Sequence, residues 1–355
     1  MPTLAPHLAV QITVAEPTVV GPLAVFPLIA DRPPSVRYVS FAEAVQRGAA
    51  VKELTGGASV NDLMVNNPLD TPVLLYEGEE VLGAQQNRTF DVSVLVAATS
   101  LLEVPVSCVE AGRWDGGRHD EAFAPAPQTA NPRLRRMKNT QARASLAEGL
   151  EARAVQSEVW REVAAAAGRH GVSSPTGAMH DVFERRRDRL DATVQAVEMH
   201  CSQVGMLAAI GGRLVVLDHV SEVEAFASLH GPLVQGYALD ALEAPAAAPP
   251  SIEDARDFVE LLLAAPCTSA PAVGLGEGLR FAFGGLAGAG LVCDGELVTL
   301  TAFADDPSPD GPDRRSRPPA LRVEARSEVV DERHGSRTNR CQERASRGDL
   351  KTHGV

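Results

Sequence analysis

Residues 77–114 read EGEEVLGAQQNRTFDVSVLVAATSLLEVPVSCVEAGRW. Three polar clusters, Glu77 to Glu80, Gln85 to Arg88 and Glu110 to Trp114, flank two apolar runs rich in β-branched residues. Runs of this length and composition, bounded by Gly83 and by the polar clusters, are expected to be strands. Long amides and arginines set side by side are costly to desolvate unless every donor and acceptor finds a partner. Their concentration at strand ends therefore predicts one shared polar site, or a hydrogen-bond network that pins the strands. The residues alone leave both readings open.

Working outward, LAVFPL, VRYVSF, AVKEL, VNDLMV and PVLLYEG make residues 19–111 mostly strand, a β-rich first third of sandwich or barrel type. SFAEAVQRG is the exception: Ser40 as N-cap, Glu43 three residues later and Gly48 as a C-terminal stop predict a short helix. Residues 112–131, rich in Gly and Pro, are expected to be a loop. Residues 132–202 are expected to be helical, as a hairpin of two helices joined by GRHGVSSPTG. Val155, Val159 and Val163 repeat at helical spacing, and Ser174-Pro175 suits a helix start. The last third is mixed. VGMLAAI and RLVVLD pair across Gly211-Gly212, helices follow near residues 221–242 and 251–265, and AVGLGEGLRFAFG, GAGLVC and ELVTLTAF return as strands. The fold class is α+β, with residues 1–303 as a single domain.

Residues 304–355 are expected to be a disordered, charged tail. From Asp305 onward there are eleven Lys or Arg against ten Asp or Glu and few large apolar residues. The whole chain of 355 residues carries 33 Lys or Arg and 46 Asp or Glu, a formal charge of −13. That balance excludes a general nucleic-acid binder, and aromatics at 4% leave little for base-stacking platforms. The N-terminus lacks the basic and apolar regions of a secretory signal, and no run approaches the length that spans a bilayer. The five cysteines, Cys108, Cys201, Cys267, Cys293 and Cys341, are scattered and never spaced as CxxC. A cytoplasmic protein without membrane partners is the simplest reading.

The motifs EGEEVLGAQQNR, SVLVAATS, PVSCVEAGRW, SSPTGAMHDVFE and VGMLAAIGGRLVVLD occur in this order, and together they resemble the ARPP-1 family. That family takes its name from association with ADP-ribosylglycohydrolases and rhodanese-phosphatase proteins. The resemblance covers roughly residues 18–303 and implies a link to ADP-ribose and NAD metabolism, with no catalytic assignment to carry over.

Several residues are candidates for chemistry. Arg88 and Arg113 offer planar forks for phosphate or carboxylate, against the alternative of ion pairs with Glu79, Glu80 or Glu110. Gln85, Gln86 and Asn87 could read a ribose or base edge, and Trp114 borders them. Glu79, Glu80 and Glu110 could act as general acid and base or, with Asp218, hold a divalent metal. The basic run Arg133, Arg135, Arg136, Lys138 and Arg143 could converge with Arg113 on a diphosphate, or form a solvated helix face. Cys108 is expected to be a buried thiol. No zinc motif occurs, no metal is assigned and the cofactor is unknown. Gly274, Gly276 and Gly278 are expected to serve close sheet packing rather than dinucleotide binding.

The leading expectation is a protein that binds, and possibly processes, an ADP-ribose-like or other phosphorylated nucleotide. The alternative is a non-catalytic structural, sensor or interaction domain whose polar motifs are a network. A ligand site requires Arg88 and Arg113 to be solvent-reachable in one cleft. A network requires both to be buried and paired.

Overall fold

The computed structural model describes residues 2–8 and 11–305. Of the expected disordered tail, residues 304–355, Ala304 instead ends the last strand, and residues 306–355, Cys341 among them, lie outside the described residues. The first third contains β1 (Ile12–Val14), β2 (Thr18–Val20), β3 (Leu23–Ala30), β4 (Val39–Ser40), α1 (Phe41–Gln46), β5 (Ala50–Lys52), β6 (Asp62–Asn67), β7 (Val73–Leu75), β8 (Glu79–Leu82), β9 (Arg88–Phe90), β10 (Val94–Val96) and β11 (Ser100–Cys108). The start of α1 follows its local chemistry: the Ser40 side chain accepts from the Glu43 backbone N–H, satisfying a donor that the helix itself cannot.

Residues 112–131 are not all loop: β12 (Ala124–Thr129) lies within them and pairs with β8. Its sequence APAPQT hides it, because Pro125 and Pro127 erase both the alternation and two ladder donors. Prolines are tolerated because β12 is an edge strand with a register shift between Pro125 and Thr129. The helical region holds three helices, not two: α2 (Pro132–Ala147), α3 (Gln156–Arg169) and α4 (Met179–Ala196). Val155 is the exposed N-cap of α3, while Val159 and Val163 are buried as the spacing requires. α4 begins at Met179, four residues beyond Pro175; Ser174 instead accepts from the Ala178 N–H and donates to Asp181.

The last third is β13 (Gln203–Ile210), β14 (Arg213–Val220), α5 (Val223–Ala241), α6 (Ile252–Leu263), β15 (Cys267–Pro271), β16 (Glu277–Phe283), β17 (Leu286–Cys293) and β18 (Glu296–Ala304). Gly211 and Gly212 have φ of 59° and 77°, the double left-handed turn that a tight hairpin needs. No helix among the described residues is long and apolar enough to cross a membrane.

A nine-stranded sheet runs β1-β3-β13-β14-β18-β17-β16-β15, with β2 beside β3. The last third thus returns to the first through the β3–β13 pairing. Both faces are covered. Leu23, Val25, Met206 and Ala208 face a core shared with α3, α4 and α5, whereas Ala24, Phe26, Leu207 and Ala209 face one shared with α6. Burial on both faces explains why LAVFPLIA and VGMLAAI read as nearly unbroken apolar runs. A six-stranded sheet, β12-β8-β9-β11-β6-β5, and a three-stranded one, β10-β7-β4, enclose a third core with Phe41 of α1 and Phe90. The first third is therefore built from two small sheets, with β1 to β3 given over to the large one.

The sheets and helices are tied together by one buried ion pair. Asp218 of β14 accepts from Arg135 of α2 at 2.5 and 3.0 Å and from Tyr76 Oη at 2.6 Å, and it also accepts from Tyr237 of α5 and Thr301 of β18. Gly78 lets Arg135 through: a Cβ there would lie 2.6 Å from the arginine Cδ, and its φ is +83°. Lys138, one turn on, pairs with Asp91 at 2.9 Å and donates to Phe90 O. The basic run of α2 is thus neither a solvated face nor a diphosphate site at these two positions, because both side chains point inward to carboxylates. Arg135→Met should leave Asp218 buried without its cation and cost about 3–5 kcal/mol in urea denaturation. Arg133→Met, whose exposed side chain is 3.9 Å from Glu243, should cost under about 1 kcal/mol.

Candidate functional site

The polar motif folds into a single network. β8 and β9 are joined by residues 83–87, and β9 lies beside β11, so that Arg88 and Cys108 are direct cross-strand partners. Glu110 stands just beyond β11 and organises the turn. Its carboxylate accepts from Arg113 Nε at 2.9 Å, Arg113 Nη2 at 2.6 Å, Thr176 Oγ1 at 2.7 Å and the Asn87 N–H at 3.1 Å. Burial pushes the Glu110 carboxyl up, but the Arg113, Thr176 and Asn87 bonds outweigh it and hold the group below its ordinary value. Arg113 also donates to Ala84 O and Asn87 Oδ1. It thereby holds a turn in which Ala84, buried and without a glycine's freedom, has φ of 40°. Gln86 Nε2 donates to Glu110 O, and Gln85 Nε2 meets His119 Nδ1.

Arg88 has no exposed surface. Its Nη1 donates to Gln86 O at 2.9 Å and to Cys108 Sγ at 3.1 Å, and its Nη2 lies 3.8 Å from Glu53. Burial pulls its guanidinium below the ordinary value and raises the Glu53 carboxyl. Both shifts run toward neutrality, as expected of a loosely seated buried pair. Burial pushes the Cys108 thiol up to about 11, so it is no nucleophile at neutral pH. Trp114 is half-exposed, and its ring lies 5.8 Å from the Arg88 guanidinium.

The structure thus brings together Gln85, Gln86, Asn87, Arg88, Glu110, Arg113 and Trp114, and leaves Glu79 and Glu80 apart. Glu79 folds back to accept the Tyr76 N–H at 2.7 Å, and Glu80 accepts from Gln128 Nε2 at 2.7 Å. Burial pushes both carboxyls up to about 8. Asp218 does not join them as a metal ligand: its oxygens are taken by Arg135, Tyr76, Tyr237 and Thr301. Among the described residues no cluster of three or more His, Cys, Asp or Glu is arranged to hold a metal ion.

A cavity of about 430 Å³ opens elsewhere, and none of the nine residues chosen from sequence lines it. Its walls include Val92, Pro105, Leu146 and Val273; Arg280 of β16 lies in it beside Glu77 and Thr299. The strand face around Arg280 carries Gly278 and Ala289, whose lack of bulk leaves room. Arg280 is half-buried, and it differs from the two fully buried arginines, Arg88 and Arg135. Its guanidinium makes one hydrogen bond, Nη1 to Leu279 O at 3.1 Å; Nε is buried without a partner, as it is in Arg88 and Arg135, but here no carboxylate lies within ion-pair distance among the described residues. Burial pulls its guanidinium below the ordinary value, with Glu77 a partial offset. The sequence carried a signal for it: one arginine between Leu279 and Phe281, in a segment otherwise of small and apolar residues. The glycines of VGLGEG do serve close packing, since a Cβ on Gly274 would lie 2.3 Å from Leu95 O.

Two of the ordered motifs meet at Glu110, through Thr176 and an isolated β-bridge to Ala178, and a third supplies Asp218 to Tyr76. A family model matches residues 11–303, described as ARPP-1, the ARG and Rhodanese-Phosphatase-superfamily-associated Protein domain. The chain belongs to the ARPP-1 family. The ARPP-1 match takes in both the motif network and the Arg280 cavity. No curated protein and no solved structure matched the chain.

Two outcomes follow for this ARPP-1 chain. Arg88→Ala should destabilise by about 3 kcal/mol, the low end for a broken buried pair given its 3.8 Å separation; chemical denaturation reads this directly. Glu80 binds its proton more tightly folded than unfolded, with the value raised from 4.5 to about 8. Its contribution is therefore complete below about pH 4.5 and is lost as pH rises to about 8. Glu80→Gln should gain stability relative to wild type across that window, measured as the difference between denaturation curves at pH 5, 7 and 9.

Proposed function

We propose that the chain binds a small phosphorylated ligand of the nucleotide or ADP-ribose class in the Arg280 cleft, and that the motif network of residues 77–114 is framework. One observation carries the reading: a guanidinium without a carboxylate lies in a cavity large enough for a small ligand. An unpaired, desolvated cation is unfavourable on its own, and an incoming oxyanion would supply the missing charge-assisted hydrogen bonds. The family's ADP-ribose association agrees with a phosphate as that oxyanion.

On the two conditions set for Arg88 and Arg113, the network is the better account of the motif. Arg88 is enclosed, and Arg113 spends its donors on Glu110, Ala84, Asn87 and Gly83. We accordingly read Gln85, Gln86 and Asn87 as part of the turn rather than as ligand contacts. Glu79 and Glu80 are read as neutral buried acids and Glu110 as the anchor of that turn, rather than as a catalytic set. Trp114 shields one side of Arg88.

The test is calorimetric titration and thermal shift of the whole protein with inorganic phosphate, AMP and ADP-ribose. At 100 times its dissociation constant a ligand stabilises by about 2.7 kcal/mol. Arg280→Met should weaken binding at least about 30-fold while leaving the unliganded protein as stable as wild type or more so. Equal binding by wild type and Arg280→Met, or no binding of any of the three, would overturn the proposal.

A further inference from the structure

Charge is distributed unevenly along the Arg280 cleft, and the imbalance bears on which phosphorylated ligand fits. This inference rests on the binding reading above. One end holds the buried Thr299 and Glu77 and the half-buried Arg280. Glu77 is already committed, to Arg135 at 3.2 Å and to Asn139. The exposed end holds Asp62, Glu103, Glu151 and Arg153. Arg153, the one cation there among the lining residues, is claimed by Asp62 at 2.6 Å and by Glu151 at 2.6 Å. Glu103 is exposed and makes no side-chain hydrogen bond or ion pair among the described residues. The mouth therefore offers acceptors and no uncommitted donor cation, while the interior offers one cation without an anion.

Each end asks for a different chemistry. An arginine with free N–H groups takes a phosphate; carboxylates take hydroxyl or amine donors, as acidic residues do with ribose hydroxyls in dinucleotide sites. A second or third phosphate extending outward from the first would lie against like charges, which is the ordinary means of rejecting a near-cognate ligand. We infer that the cleft selects a sugar phosphomonoester, phosphate inward and hydroxyl-bearing ribose outward, and discriminates against nucleotides that carry further phosphates. The apolar walls between the two ends, Val92, Pro105 and Val273, suit the faces of a sugar or base.

The experiment is calorimetric titration of the full chain with ribose 5-phosphate, AMP, ADP and ATP at constant ionic strength without divalent metal. AMP should bind at least about tenfold tighter than ATP, with ADP between them. The double variant Glu103→Gln, Glu151→Gln changes only exposed side chains, removes two negative charges from the mouth and leaves Arg153 paired with Asp62 alone. It should bring the AMP and ATP constants to within about twofold, chiefly by strengthening ATP. Raising salt should narrow the wild-type ratio as well, because the mouth charges are solvent-facing. ADP or ATP binding as tightly as AMP in the wild type, or an unchanged ratio in the double variant, would overturn the selectivity while leaving Arg280 binding intact. Failure of all four ligands to bind would instead remove the binding reading, and the selectivity with it.

Discussion

The Asp218–Arg135 pair is the constraint on which the remaining architecture depends. Taking a carboxylate and a guanidinium fully out of water costs several kcal/mol each, and attraction offsets this only if the remaining lone pairs and protons are also satisfied. Here they nearly are. Arg135 approaches with two nitrogens, and Tyr76, Tyr237 and Thr301 fill the rest of the carboxylate. Burial raises the Asp218 carboxyl, but Arg135 and the hydrogen bonds from Tyr237 and Tyr76 outweigh it and hold the group below its ordinary value. The partners come from the end of β7, from α2, α5 and β18, and the acceptor from β14. Small sheet, helices and large sheet must therefore all be in register before the charge is tolerable. A buried network so nearly satisfied demands one arrangement of its elements and rejects near alternatives.

The same logic separates the three arginines. Arg135 has an ion pair of good geometry, and Arg88 has a distant carboxylate supplemented by a carbonyl and a thiol. Arg280 has one carbonyl. Proteins seldom leave a desolvated cation so poorly served where nothing is meant to meet it. That contrast, rather than the density of polar letters in residues 77–114, is the ground for our proposal that the motif is framework and the Arg280 cleft the binding surface.

Much of the architecture was legible because it rests on short-range chemistry. Ser40 and Glu43 mark a helix start, Gly211-Gly212 marks a hairpin, and unbroken apolar runs mark strands buried on both faces. What stayed hidden depends on distance. β12 is held by its pairing to β8 and not by its own composition, which two prolines make look like loop. The break between α2 and α3 is marked in sequence by little more than Gly149. The convergence of Gln85 to Arg88 with Glu110 and Arg113 was foreseeable, since the strands place them at adjacent ends. Whether Arg88 faced water or a carboxylate was not, because its partner Glu53 lies on a distant segment of the chain, just as Arg135 meets Asp218 across 83 residues. Arg280 was visible as a letter, but its lack of a partner is a property of the whole fold.

The spread of residues around Asp218 also bears on how the chain comes to be made. A ribosome delivers Tyr76 and Arg135 long before the aspartate they serve, and Thr301 emerges last of the set. Until β18 has been synthesised, Arg135, Lys138 and the first-third strands have no finished sheet to close upon, and the apolar runs of β3 and β13 stay open to solvent. Contacts this distant make for slow, all-at-once closure and a long interval of vulnerability on the ribosome. The large sheet can close only when β18 arrives to join β14 to β17.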